Sequence, residues 1–344
     1  VTEINRSPAT LLDVAREAGV SLATASRALN GSDRKVNDSY RERVLAAAAR
    51  LNYSPNLSAQ AVAKGSTNTV ALLVSDIADP YFSSIAAGVI RASDDAGLVV
   101  TIAVTGRDSA RELELVRALR GQRPRIMILT GSRSADQDNE QALVDELTAF
   151  EANGGRVVMV SQGELPFDTV VLDNYEGARL LAHALVDRGY RRFAAIAATD
   201  ALLTVKHRLG GFRQGLAERD LAITDEHVVR SEFTRDGGYA GAMELLDRGI
   251  DEVDCVFALN DVMAVGALSA FRAAGRVPGR DIAVAGFDDI PTVQDVSPAL
   301  TTVHVPMEDV GELALSVAVS KRSGDATTTP VATSVVVRES TPQR

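Results

Sequence analysis

The chain has 344 residues, 46% hydrophobic and 24% charged, a length beyond one typical domain and a composition that excludes a disordered protein. No apolar run approaches the ~18 residues of a membrane span, and the opening VTEINRSPAT lacks the basic-then-apolar pattern of a signal peptide. The lone Cys255, in the apolar run DCVFAL, rules out an intrachain disulfide and reads as a buried inert thiol, so a cytoplasmic protein is expected.

The formal net charge of −10 is unevenly spread. Up to residue 65 nine cations face six anions, a net +3, whereas the remainder carries 27 cations and 40 anions, a net −13. A basic head on an acidic body is the pattern of a DNA-binding module joined to a separate regulatory domain.

The predicted elements begin with three short helices. Thr10 is placed to cap the first, with Asp13 completing a capping box; Leu11, Val14, Ala15 and Ala18 then recur at helical spacing. Gly19 stops this helix, and Ser21 caps a second that runs to about Leu29. Two short helices about a tight glycine-containing turn form a helix-turn-helix. A third helix, roughly 37–51, is expected to present Val44, Leu45, Ala48 and Leu51 inward. The second helix, SLATASRALNG, carries one cation, because reading and gripping DNA are separate tasks. Ala25, Ala28 and Leu29 face inward; Leu22, Ala23, Ser26 and Arg27 face outward. Arg27 can pair with both acceptors of a guanine, while Leu22 and Ala23 suit thymine methyls. Helix N-termini and neighbouring cations hold phosphates. On this segment alone, a small helical subdomain with an exposed arginine stays an alternative.

From residue 70 apolar runs alternate with helical stretches. Buried strands are expected at 70–76, 98–105, 125–131, 156–162, 192–198, 228–233, 255–259 and 282–287. That rhythm means parallel sheets covered on both faces, in two similar lobes, with a ligand site where strand C-termini meet.

Residues 10–65 resemble the head of the LacI/GalR family of bacterial repressors in TLLDVAREAGVSLATASRALNG, VNDSYRERVLAAAARLNYSPN and SAQAVAKG. The resemblance continues through DPYF, DNYEGARLL, RLGGFRQGL, EFTRDGGYAGA, ALNDVMAVGAL, VAGFDDIP and SPALTTV. It implies an all-α helix-turn-helix head with a hinge helix, followed by an α/β two-lobed, Rossmann-like domain of the periplasmic-binding-protein type I fold, its lobes joined by three crossovers. The implied divisions are a DNA-binding domain over 1–55, a hinge over 56–65 and an effector-binding and dimerisation domain over 66–344. The implied protein is a ligand-responsive, nucleoid-associated repressor, a homodimer with a tetramer left open. It needs no cofactor or metal, and its partners are double-stranded operator DNA and a small effector.

Carried over position by position, the family's DNA contacts fall on Leu12, Ser21, Leu22, Ala23, Thr24, Ser26, Arg27, Asn30 and Tyr53, and in the hinge on Asn56, Ala59, Val62 and Ala63. The hinge wedge, usually Leu, is Val62 here, shorter and β-branched, so a shallower insertion is expected. The ligand set falls on Asp79, Tyr81, Phe82 and Ser161 of the first lobe, and on Thr204, Arg208, Phe233, Asn260 and Asp288 of the second. Carboxylates and amides suit vicinal hydroxyls, arginine offers a fixed fork, and aromatic rings pack on a sugar's C–H face. The family's strand-end Asp-Arg is replaced by Ser161 and Gln162, and a frequent Gln by Val305. The first lobe is therefore expected to offer fewer charged groups, leaving a nucleoside or modified sugar beside the default sugar. A corepressor-dependent regulator stays open as the alternative, since the sign of the ligand's effect is not written in the sequence. An enzyme is not expected: Walker A, a dinucleotide fingerprint, metal-ligand spacing and a nucleophile elbow are all missing.

Overall fold

The computed structural model describes residues 9–30, 36–54, 66–133, 139–250, 252–320 and 324–344. The chain forms two compact units, one through Thr67 and the other from Asn68 onward.

In the first unit, helices α1 (Leu11–Ala18), α2 (Leu22–Asn30) and α3 (Asp38–Arg50) surround a core of Val14, Ala25, Val44, Ala47 and other small side chains. The capping box forms as the sequence predicts. Thr10 N–H donates to Asp13 Oδ2 at 2.9 Å, and Asp13 N–H to Thr10 Oγ1 at 3.3 Å. Gly19, at φ 62°, ends α1 with its N–H on the carbonyls of Ala15 and Arg16. One inner-face assignment is corrected: Leu45 is 47% exposed, and Ala47 lies in the core instead. With Val44 and Ala48 facing inward, position i+3 shares their stripe, whereas i+1 is turned about 100° away.

The second unit begins with β1 (Thr69–Val74), α4 (Pro80–Asp95), β2 (Val99–Val104), α5 (Ser109–Gly121), β3 (Ile126–Thr130), α6 (Glu140–Ala152), β4 (Arg156–Ser161) and β5 (Asp168–Leu172). Next come α7 (Asn174–Asp187), β6 (Phe193–Ala197), α8 (Leu203–Ala217), β7 (Val228–Arg230), α9 (Arg235–Arg248), β8 (Cys255–Ala258), α10 (Asp261–Ala273), β9 (Ala283–Ala285) and β10 (Thr302–His304). The chain ends with α11 (Met307–Val319), β11 (Thr328–Val331) and β12 (Ser334–Val336).

The first lobe is a parallel sheet in the order β11-β5-β4-β3-β1-β2, and the second a parallel sheet β7-β6-β8-β9 beside the antiparallel pair β10-β12. The chain passes between lobes three times, after Leu172, after His304 and after Val331. On its return, α11 packs against α4 at backbone distance: a Cβ on Gly88 would lie 2.0 Å from the Glu308 carbonyl oxygen. Only glycine permits that approach.

The eight expected strands are present, with two differences. The strand expected over 228–233 ends at Arg230, which frees Phe233 to line the cleft. β2 is not buried but forms a sheet edge, with Val99 64% and Val104 41% exposed. Four strands carry no long apolar run: β5, β10, β11 and β12. β11 contains Pro330, tolerable because the strand is an edge.

Candidate functional site

Parallel strands place their C-terminal loops at one end of each sheet, and the facing ends of the two lobes enclose a cavity of about 260 Å³. All nine residues of the expected ligand set line it.

Arg208 of α8 organises the second-lobe wall. Its side chain is 3% exposed, and each of its three nitrogens donates a hydrogen bond. Nε donates to Asn174 Oδ1 at 2.8 Å, Nη1 to the Leu259 carbonyl at 2.7 Å and Nη2 to Asp288 Oδ1 at 2.7 Å. The guanidinium also stacks 3.9 Å above the Phe287 ring. Burial pushes the Asp288 carboxyl up to about 8, while the Arg208 guanidinium pulls it the other way. Asp288 holds φ 119°, rare for a residue with a side chain. Asn260 Oδ1 accepts from Met263 N–H at 3.0 Å to cap α10, which leaves its amide NH₂ as the group to offer a ligand.

In the first lobe Asp79 caps α4, its Oδ1 accepting from Tyr81 N–H at 3.0 Å. Burial raises its carboxyl, and the Tyr81 amide and the Arg107 cation oppose that rise. Tyr81 and Phe82 meet edge to face at 4.9 Å. Ser161 is turned into its own lobe, donating to the Gly131 carbonyl at 2.7 Å. Thr204 sits on the seam between lobes. Its hydroxyl accepts from Gln162 Nε2 at 2.9 Å, and its N–H donates to Ser132 Oγ at 3.0 Å.

The first lobe also brings charged groups to the cavity that the sequence does not single out. Arg107, Asp108, Glu112, Arg133 and Glu140 all line the cavity. Arg107 lies 5.9 Å from both the Phe82 and Phe233 rings, so it touches aromatic groups of both lobes, and it donates to Asp79 Oδ2 at 3.4 Å. Arg133 and Glu112 form a buried two-pronged pair. Sequence reasoning missed these residues and Asn174. The usable signal was position alone, since Arg107 and Arg133 each follow within three residues of a strand end.

On the head, Ser21, Leu22, Ala23 and Arg27 are exposed at the start and outer face of α2, and Leu12 is 53% exposed on α1. Ser21 Oγ accepts from Thr24 N–H at 3.1 Å and shares a 2.8 Å bond with the Thr24 hydroxyl, so this pair caps the helix. Thr24 and Ser26 are half-buried, as is Tyr53, which packs on the head core. Asn30 ends α2; its side chain, and residues Asn56, Ala59, Val62 and Ala63, lie outside the described residues. Among the described residues no cluster of His, Cys, Asp or Glu could hold a metal, and no helix is long and apolar enough to cross a membrane.

Two family models match the chain: bacterial regulatory proteins of the lacI family over residues 10–56, and a periplasmic binding protein-like domain over residues 182–341. The HTH-type transcriptional regulator CelR of Thermobifida fusca is 35% identical over 98% of this chain and 99% of its own. A solved CelR–cellobiose complex superposes with a TM-score of 0.70 at 32% identity, covering 96% of this chain and 99% of that one. The lac repressor dimer bound to operator and the anti-inducer ONPF gives 0.81 at 26% identity, covering 98% and 100%.

Proposed function

Because the chain belongs to the lacI family of bacterial regulatory proteins, a family of DNA-binding transcriptional regulators and not of enzymes, we propose that it binds a pseudo-palindromic operator as a homodimer and that a sugar-like effector in the cleft releases it. The observation that carries the reading is the cleft itself, whose lining comes from both lobes: Asp79, Tyr81, Phe82 and Ser161 from one, Thr204, Arg208, Phe233, Asn260 and Asp288 from the other. A ligand touching both walls prefers one lobe arrangement, and it shifts the equilibrium by its difference in affinity for the two arrangements. Asp288 and Asn260 suit ring hydroxyls, Tyr81 and the two phenylalanines suit a sugar's C–H face, and a sugar is what the CelR structure holds.

Each head reads one half-site in the major groove through Leu22, Ala23 and Arg27, with Leu12, Ser21, Thr24, Ser26, Asn30 and Tyr53 around them. Residues 56–65 form the hinge between a head over 1–55 and an effector domain over 66–344, with Asn56, Ala59 and Ala63 flanking the Val62 wedge in the minor groove. Dimerisation would cover the apolar β2 edge, which a lone subunit exposes. Binding to operator places the protein on the nucleoid.

The test is a gel shift on DNA upstream of the protein's own gene, with and without a panel of sugars. A sequence-specific shift that a sugar weakens supports the reading. A shift that a small molecule strengthens selects the corepressor alternative, and no shift on any upstream DNA refutes the operator assignment.

A further inference from the structure

We propose that the two lobes carry their own clasp, in which Gln162 and the Ser132–Arg133 turn of the first lobe cap helix α8 of the second, so that protein groups alone hold the cleft closed. An effector then enters lobes already in their binding arrangement. That last step rests on the cleft reading above; the clasp itself does not.

The clasp begins with a helix that cannot cap itself. The first N–H groups of a helix lack partners within it, and the N-cap of α8 is Leu202, whose side chain can accept nothing. The neighbouring α9 and α10 have caps of their own in Thr234 and Asn260. In α8 the Val205 and Lys206 amides turn back onto the Leu202 carbonyl at 3.0 and 3.2 Å, which leaves those of Leu203 and Thr204. Both are answered from the other lobe. Leu203 N–H donates to the Arg133 carbonyl at 3.1 Å, and Thr204 N–H to Ser132 Oγ at 3.0 Å.

Gln162 adds a bond across the same seam, its Nε2 donating to Thr204 Oγ1 at 2.9 Å. Its Oε1 is held within the first lobe, accepting from Arg133 N–H and Ser161 Oγ, both at 3.0 Å. An amide can accept from the turn and donate to α8 at once, whereas the arginine usual at this position in the family only donates. The turn is fixed from behind, where Arg133 Nη1 and Nη2 donate to Glu112 Oε2 and Oε1 at 2.8 and 2.6 Å. Because Thr204 and Arg208 both ride on α8, the clasp also sets where that helix presents them to the cleft. Gln162 is therefore a positioning residue.

Double electron–electron resonance on the ligand-free, full-length protein tests this. Spin labels go on Glu114→Cys of α5 and Asp236→Cys of α9, both exposed sites, while the native Cys255 is buried. Mixing with excess unlabelled protein confines the measured distance to one subunit. The labelled parent is expected to give one narrow distance. Leu203→Pro deletes the donor to Arg133 but spares α8, because proline suits the first helical position and Leu202 already has the extended backbone that precedes a proline. It is expected to make the parent's distance the minor population. Leu203→Ala, which keeps the N–H, is expected to match the parent. Gln162→Met keeps the side chain's length without its polar atoms, is expected to broaden the distance, and decides the matter where Leu203→Pro does not fold. A broad or two-peaked distance in the parent overturns the clasp, as does a narrow one that folded Leu203→Pro leaves unchanged. Opening by Leu203→Ala assigns the effect to the leucine side chain and overturns it too. None of these results bears on the sugar reading, which the gel shift tests separately.

Discussion

Asp288→Ala removes the acceptor beneath Arg208 Nη2, and its cost can be worked from the contacts. The 2.7 Å bond joins side chains 3% and 5% exposed, so a water entering from the cleft is the sole replacement for the lost oxygen and recovers part of it at most. A hydrogen bond to a charged group contributes about 1.5–3 kcal/mol. Alanine must also adopt the φ of 119°, at an added cost of about 1 kcal/mol, because aspartate and asparagine tolerate positive φ better. The sum, about 3 kcal/mol, should lower the melting temperature of the effector domain by roughly 6 °C or more. Asp288→Asn keeps an oxygen for Nη2 and the same φ tolerance, and should be more stable than Asp288→Ala by at least about 2 kcal/mol. Urea unfolding and thermal melts of the three proteins measure this. Alanine and asparagine variants of equal stability would refute the assignment of Arg208 and Asp288 as a mutually supporting pair.

Arg27→Ala should weaken operator binding by about 1–3 kcal/mol per half-site and relax preference at one base pair, read by anisotropy on single-substituted operators; a uniform loss on all sequences would place Arg27 on phosphate. With Val62 as the proposed minor-groove wedge, Val62→Leu adds one methylene per subunit, about 0.8 kcal/mol each, and should tighten operator binding several-fold with greater bending in a circular-permutation assay. Equal binding and bending would move residue 62 out of the minor groove. Burial holds the carboxyls of Asp261 and Asp288 at about 6 and about 8, above an unfolded value of 3.8. The stability each contributes is therefore full below about pH 3.8 and is lost as pH rises through those folded values. Between pH 5 and 8 the unfolding free energy of wild type should fall relative to that of Asp288→Asn, by up to about 1.4 kcal/mol per pH unit; parallel pH profiles in urea titrations would contradict it.

The head was legible because its signals are local: a capping box three residues long, a glycine stop, and apolar positions at helical spacing. The sequence of α3 alone does not say which edge faces inward, so Leu45 and Ala47 are distinguished only by the packing of α1 and α2. The long strands announced themselves as apolar runs, but three-residue strands such as β10 exist only through a pairing of Thr302 with Val336. No window on either segment contains that information. The second-lobe candidates could be placed through the family resemblance; of them Phe233, Asn260 and Asp288 stand within three residues of a strand end, whereas Thr204 and Arg208 lie on α8. The pairing of Glu112 with Arg133 could not be placed, since it joins a helix to a loop 21 residues later, and no local pattern links the two.

Linkage between the two sites is the most direct test of the account. If the sugar releases the operator, the operator must weaken the sugar by the same factor. Titrating the tightest-binding sugar into the free protein and into the protein saturated with operator measures that factor calorimetrically. Sugar affinity at least five-fold weaker on the operator complex, matching the loss of operator affinity at saturating sugar, is the predicted result. Equal sugar affinity in the two titrations would contradict it.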